Sequence, residues 1–395
     1  MLKDILNEES TPFTFGKIVV GNKFANRTDE RNKLTGNFHH KINTMLISPR
    51  RWGKSSLIRT VGNDMHTTDK SFCFAHLDLL SIRTEVEFYE LFAKEVIKCT
   101  STNLDEWIAN ARLFFKRITP RISIGLNPGD FSLNFDPSDL KGGYEEILNL
   151  PEKISKLKKI KIIVCIDEFQ NVSNFNNQVA FQKRLRSFWQ THRLTTYCLY
   201  GSKKSMLMQM FEKTQMPFYK FGDVVYLQKI KKEHWQPFVA KAFQKTKKKI
   251  SKDQIDLIIE SMQCHPYYIQ QLCSIIWHNS GTSVNDKTLT CSINSIIDQN
   301  ANLFEREVDT LSNTKVNLLK ALASGVNEKL TSMGVLRLFK LGTSANVVKA
   351  LKALDFDELI VKEGSRYNFI DPVFELWFKR RFLNITFTIE LITNR

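Results

Sequence analysis

Short apolar runs alternate with stretches of helical periodicity along the first part of the chain. Met45-Leu46-Ile47 is one run, Phe72 to Leu79 alternates toward a polar end at Asp78, and Ile162 to Ile166 is continuously apolar. The last of these reads as a strand buried on both faces. Leu194 to Tyr200 adds a further core strand, and Pro217 to Leu227 closes the series with a short one. Between the runs, Leu57, Ile58 and Val61 share a helical face, as do Val86, Leu91, Phe92 and Val96. Phe181, Leu185, Phe188 and Trp189 form another, which leaves Arg184 and Arg186 on or near its exposed side. Strands alternating with helices predict an α/β domain around a parallel sheet. Arg121 to Phe135 departs from this rhythm: two alternating runs flank Asn127-Pro128-Gly129-Asp130 and predict a hairpin inserted between core elements.

From Lys231 onward the pattern turns helical. Lys241 to Lys252 is densely cationic, a solvated face or a phosphate-contact face, and Pro266 opens an apolar helix. Three helical patterns (Lys315 to Ala323, Leu330 to Leu341, Ser344 to Leu354) then precede two short strands, Leu359 to Lys362 and Tyr367 to Ile370. That order predicts a winged helix-turn-helix, with Asn346, Lys349 and Lys352 as the candidate groove contacts of its third helix. The domains expected are therefore 1–230, an α/β core with a hairpin near 121–135; 231–308, a helical lid; and 309–395, the winged helix.

The candidate chemistry sits at two strand ends. Ser48-Pro49-Arg50-Arg51-Trp52-Gly53-Lys54-Ser55-Ser56 follows the first strand and opens a helix, the strand, loop, helix order of a phosphate-binding P-loop. Backbone N–H groups there converge on an anion, Lys54 supplies a point charge to the β/γ-phosphates, and the Ser55 hydroxyl is a Mg²⁺ ligand. Ser48 stands where the first glycine of the motif is expected, which predicts a backbone cost. Asp167 and Glu168 end the buried strand, where parallel sheets place their ligands. Asp167 is expected to hold Mg²⁺ and Glu168 to polarise an attacking water from the other side of the strand end. In assembling ATPases an arginine completes the neighbouring subunit's site, and Arg186 is the candidate here.

Upstream, Thr28 or Asp29 is placed to cap a helix bearing Leu34 and Phe38, bringing Phe24 and Arg27 beside the nucleotide site. The box from Phe24 to Leu34, the Pro49 to Leu57 loop and the Cys165-Ile166-Asp167-Glu168-Phe169-Gln170 strand end together resemble the archaeal-type ATPase family. That family belongs to the signal-transduction ATPases with numerous domains (STAND), close to the AAA+ ATPases. The resemblance implies an adenine frame at Phe24 and Arg27 and a γ-phosphate sensor at Ser202. It implies a lid sensor at His265 and Pro266, within Cys264-His265-Pro266-Tyr267-Tyr268-Ile269-Gln270. It also implies ATP and Mg²⁺ as ligands and slow hydrolysis that switches the lid and winged helix.

Composition narrows the class. Among 395 residues, 42% are hydrophobic, yet no apolar run approaches the roughly 18 residues of a membrane span. The N-terminus lacks the apolar core of a signal peptide, and seven scattered cysteines without a C-x-x-C pair read as reduced residues of a cytosolic protein. The net charge of +16 points to an anionic partner. Two outputs stay open. Either the winged helix and basic lid bind duplex DNA, or the winged helix docks on protein, making the chain a nucleotide-dependent assembly platform or homo-oligomer in defence or mobile-element signalling. A non-hydrolysing nucleotide scaffold is a third reading, because of Ser48.

Overall fold

The computed structural model describes residues 11–21, 24–101, 103–124 and 131–387. Its contacts divide the chain into two compact units, one of Arg27–Arg50 and Lys54–Gln228, the other of Met1–Asn26, Arg51–Gly53 and Lys229–Arg395.

The first unit runs α1 (Thr28–His39), β1 (Thr44–Ile47), α2 (Lys54–Thr68), β2 (Phe72–Asp78), α3 (Glu85–Cys99) and α4 (Leu104–Phe114). The hairpin β3 (Arg121–Ile124) and β4 (Phe131–Asn134) follows, then α5 (Pro137–Leu148), α6 (Leu150–Lys158) and β5 (Lys161–Asp167). A 3-10 turn (Phe169–Asn174) leads into α7 (Gln178–Trp189), β6 (Thr195–Gly201), α8 (Lys204–Glu212) and β7 (Asp223–Tyr226). The sheet order is β2-β5-β6-β1-β7, parallel throughout. Ile162 to Ile166 are fully buried, as a strand covered on both faces requires. Because β6 lies between β5 and β1, with Ile47 paired to Gly201 and Ile166 to Leu199, the three C-terminal ends open side by side. The inserted hairpin is present, with Ile122 opposite Leu133; its turn, 125–130, lies outside the described residues.

Two local expectations are corrected. Neither Thr28 nor Asp29 caps α1: both lie inside its first turn, and the N-cap is Arg27, at φ 72 and without a side-chain cap. Leu34 and Phe38 do form the buried face. Arg184 and Arg186 are half-buried rather than surface charges. Arg184 pairs with Glu85 at 2.6 Å and reaches the Tyr89 hydroxyl, so its charge is compensated inside the helix packing.

In the second unit, α9 (Lys232–Lys245), α10 (Lys252–Ser261), α11 (Pro266–Asn279) and α12 (Asp286–Asp309) precede the winged helix. The latter comprises α13 (Asn313–Ala323), α14 (Met333–Leu338), α15 (Ser344–Phe356), β8 (Ile360–Glu363), β9 (Arg366–Phe369) and α16 (Pro372–Leu383). One apolar cluster runs from Trp235 and Ile269 through Ile293 to Leu354, Phe374 and Phe378, so the helical segment and the winged helix share a core. Helix α14 is shorter than its apolar run: the backbone is still extended at Ser332, and Lys340 and Gly342 turn the chain out at positive φ. The cationic run after Lys241 is not uniform: Lys248 Nζ donates to the Trp277 and Ser280 carbonyls, while Lys241, Lys245, Lys247, Lys249 and Lys252 are exposed. Among the described residues, no helix is long and apolar enough to cross a membrane.

Candidate functional site

The loop after β1 takes its unusual backbone angles at Arg51 (φ 61) and Gly53 (φ 88). Ser48 is not among the residues of positive φ, so the backbone cost expected there does not arise. It is 2% exposed, and its hydroxyl donates to the Pro49 carbonyl at 3.2 Å. Lys54 opens α2 and is buried, its Nζ donating to the carbonyls of Ser48 (3.1 Å) and Pro49 (2.9 Å). The first turn of α2 holds no acidic side chain, which leaves the positive end of that helix for an anion. Ser56 is buried in the same turn.

Across the gap, the Ser55 hydroxyl donates to Asp167 Oδ2 at 2.6 Å. Burial pushes the Asp167 carboxyl up to about 6; the neighbouring Glu168 charge adds to this, while the Ser55 bond and Lys54 oppose it. A hydroxyl and a buried carboxylate meeting at the phosphate end of the loop are the donor set Mg²⁺ uses when phosphates and waters complete its shell. The carboxylate that burial makes costly to ionise is the one a cation relieves. Among the described residues no group of three or more His, Cys, Asp or Glu could hold a metal by itself. Ser55 and Asp167 thus fit a magnesium ion carried in with nucleotide.

Glu168 is not simply the next strand residue. It lies beyond β5 at φ 52, in the left-handed region, so strand alternation does not aim its side chain. Protein donors do. Glu168 Oε2 accepts from the Ser202 hydroxyl (2.9 Å), from Ser202 N (3.4 Å) and from Gln170 Nε2. Ser202, 2% exposed at the end of β6, also accepts from Arg50 Nε at 3.3 Å. Lys54, Ser55, Asp167, Glu168, Ser202 and Arg50 therefore converge within one unit. Gln170 was not singled out from the sequence; its signal was its place two residues after Glu168 in the strand-end motif.

Residues 302–380 match the family described as "Probable winged helix domain". Among solved structures, the Walker-type ATPase PABY2304 of Pyrococcus abyssi superposes with a TM-score of 0.67 at 18% identity, covering 93% of this chain and all of that one. The Aeropyrum pernix ORC2 protein, solved as ADPNP and ADP complexes, gives 0.57 at 12% identity, covering 94% and 96%. The chain has the fold of a Walker-type ATPase with a C-terminal winged helix. No curated protein sequence matches it.

The remaining residues of interest in this ATPase fold are placed as follows. Arg27, 3% exposed, directs Nη1 to Glu30 (2.9 Å) and to the Gln228 carbonyl (2.8 Å). Phe24 is half-buried in the other unit. Arg186 donates to the carbonyls of Pro217 and Tyr219, both at 3.1 Å, and lies over the Phe221 ring, so its guanidinium is engaged inside its own unit. In the second unit His265 occupies the N-cap position of α11 without a side-chain cap, and Pro266 stands in the first turn. Burial, with Lys229 and Arg51 nearby, lowers the His265 pKa to about 3, which keeps the ring neutral. Arg51 donates to the Tyr268 hydroxyl at 3.3 Å and stacks 4.8 Å from the Tyr267 ring, while Trp52 is buried with Lys229 Nζ 5.9 Å above its ring.

Proposed function

We propose that the chain is a nucleotide-dependent regulatory ATPase. The observation that carries this reading is the 2.6 Å pairing of Ser55 with Asp167, beside a buried Lys54 and a Glu168 held by Ser202. Lys54 and the backbone N–H groups of Arg50 to Ser55 bind the phosphates; Ser55 and Asp167 would hold Mg²⁺, which would supply charge neutralisation at the phosphates. Glu168 orients a water for attack on the γ-phosphorus and takes its proton. Ser202 and Arg50, joined to Glu168 by hydrogen bonds, are the groups we assign to the charge that develops on the γ-phosphoryl group. The family resemblance alone assigns Phe24, Arg27, His265 and Pro266 to nucleotide binding, while Arg186, held by the Pro217 and Tyr219 carbonyls, is given no part in the hydrolytic step. The A. pernix protein of similar fold was solved with ADPNP and ADP, which supports the ligand class.

The output we propose is action on duplex DNA, switched by the nucleotide. Asn346, Lys349 and Lys352 are all exposed on α15, and five exposed lysines lie between 241 and 252, so both offer phosphate contacts. A second reading, docking on protein, is favoured by exposed apolar residues of the winged helix: Met333 at 65%, Leu338 at 72% and Phe356 at 54%.

ATP turnover by the purified chain, with and without duplex DNA at two salt concentrations, tests both. The expected result is turnover that needs Mg²⁺, disappears in Lys54→Ala and Glu168→Gln, and rises with DNA in a salt-sensitive way. Turnover indifferent to DNA favours protein docking, and ATP binding without turnover favours a scaffold.

A further inference from the structure

Gln170 lies in the 3-10 turn after Glu168, is 1% exposed, and donates through Nε2 to Glu168 Oε2. Its other amide atom, Oε1, is buried without a hydrogen-bond partner. A half-satisfied buried amide is a poor choice for packing alone, since an apolar side chain of similar volume fills the same space without stranding an acceptor. Gly201 supplies the room. A Cβ at that position would lie 2.0 Å from Gln170 Oε1 and 3.3 Å from Glu168 Cα. Gly201 is not at positive φ, so the site needs the small size of glycine rather than its backbone freedom.

These contacts fall on a carboxylate that the backbone leaves unaimed, because Glu168 stands outside the strand in the left-handed region. Gln170 and Ser202 both engage Oε2. Among the described residues, Oε1 of Glu168 accepts no hydrogen bond from protein.

We infer that Gln170 is a positioning residue for ATP hydrolysis and that Gly201 makes the space it occupies: the amide pins one carboxylate oxygen of Glu168, and the other meets the attacking water. This rests on the proposed role of Glu168. In that step a water oxygen bonds to the γ-phosphorus and the bond from phosphorus to the bridging oxygen breaks. The electron pair leaves with ADP, and the water's proton passes to Glu168 and then to solvent or phosphate. A loosely held carboxylate still takes the proton but spends less time aligned for it.

The test compares full-length Gln170→Leu, Gln170→Ala, Gly201→Ala, the Gln170→Ala/Gly201→Ala pair and Glu168→Gln for kcat, KM, thermal midpoint and affinity for a non-hydrolysable ATP analogue. The expected result for Gln170→Leu is a kcat lowered about 10- to 100-fold, with analogue affinity and thermal midpoint close to those of the parent. Gly201→Ala should lower kcat similarly in the parent but add little in the Gln170→Ala background, where the atom it would strike is gone. Parental kcat in Gln170→Leu alongside an inactive Glu168→Gln overturns this inference alone, as do Gly201 and Gln170 losses that simply multiply. Parental turnover in Glu168→Gln instead overturns the role of Glu168 itself. If Gln170→Leu does not fold, Gln170→Met is read by the same criteria.

Discussion

The Tyr268 hydroxyl donates a 2.5 Å hydrogen bond to Asp371 Oδ2, while Asp371 Oδ1 accepts from the N–H groups of Val373 (2.9 Å) and Phe374 (3.0 Å). One carboxylate thus joins α11 to the first turn of α16, and Arg51 of the phosphate loop reaches the same hydroxyl. Burial raises the Asp371 pKa against the pull of these donors, so each donor counts. Tyr268→Phe should destabilise the second unit by about 1–3 kcal/mol, read as a lower urea midpoint. An unchanged midpoint would show that the contact holds nothing together.

Acid should weaken the fold before carboxylates are fully protonated. Burial comes first among the causes that hold His76 and His265 at about 3 and His192 at about 4. Their folded pKa values lie below the unfolded value of about 6.5, so the unfolded chain binds more protons in between. Their contribution is complete above about pH 6.5 and drains as pH falls toward 3–4, by up to about 1.4 kcal/mol per histidine per pH unit. Asp167 opposes them below about 6, as do Glu95, Glu307 and Asp371, whose carboxyls burial also raises, but the histidines are shifted through the pH range between 7.5 and 5 itself. Urea midpoints should fall from pH 7.5 to pH 5; a flat profile contradicts the burial argument.

Asp167 should trade stability for ligand binding. Its folded pKa of about 6 exceeds the ordinary carboxyl value, so its stabilising effect is present when protonated at low pH and lost as pH rises through about 6. Keeping it ionised at pH 7.5 costs roughly 3 kcal/mol. Without metal, Asp167→Asn should raise the thermal midpoint at pH 7.5, with the gain shrinking near pH 4, and Mg²⁺-dependent ATP binding should weaken. A lowered midpoint at pH 7.5 would refute the cost.

Gly222→Ala should be among the most damaging single-methyl changes. The added Cβ would lie 2.0 Å from the Asn43 carbonyl oxygen, and that oxygen already accepts from Asp223 N at 2.8 Å, at the start of β7. Backbone cannot rotate aside as a side chain can, so a loss of about 3 kcal/mol is expected. A variant with parental stability would mean that the edge strand shifts freely.

Much of the architecture was legible because it is written locally. The run from Ile162 to Ile166 reports its own two-sided burial, and the loop before Lys54 reports its helix. The winged helix likewise follows from three apolar helical faces and two short strands. What escaped notice depends on distant partners or on backbone angles that residue type does not reveal. Tyr268 and Asp371 are 103 positions apart, and nothing in either neighbourhood names the other. Arg27 and Glu168 take left-handed angles without being glycine, which removed the expected cap in one case and the strand alternation in the other. Arg186 looked like a free helix charge because the carbonyls of Pro217 and Tyr219 belong to a later turn.

The backbone angles of the phosphate loop set its tolerance to mutation. Positive φ falls on Arg51 and Gly53, while Ser48 does without it, so drift at position 48 meets little steric resistance from the backbone. Substitution at 53 does not share that freedom, since a side chain there is strained even with open space around it. Lineages of this fold could therefore exchange small residues at the first motif position while keeping the loop, and a sequence signature demanding glycine at both sites would pass them by.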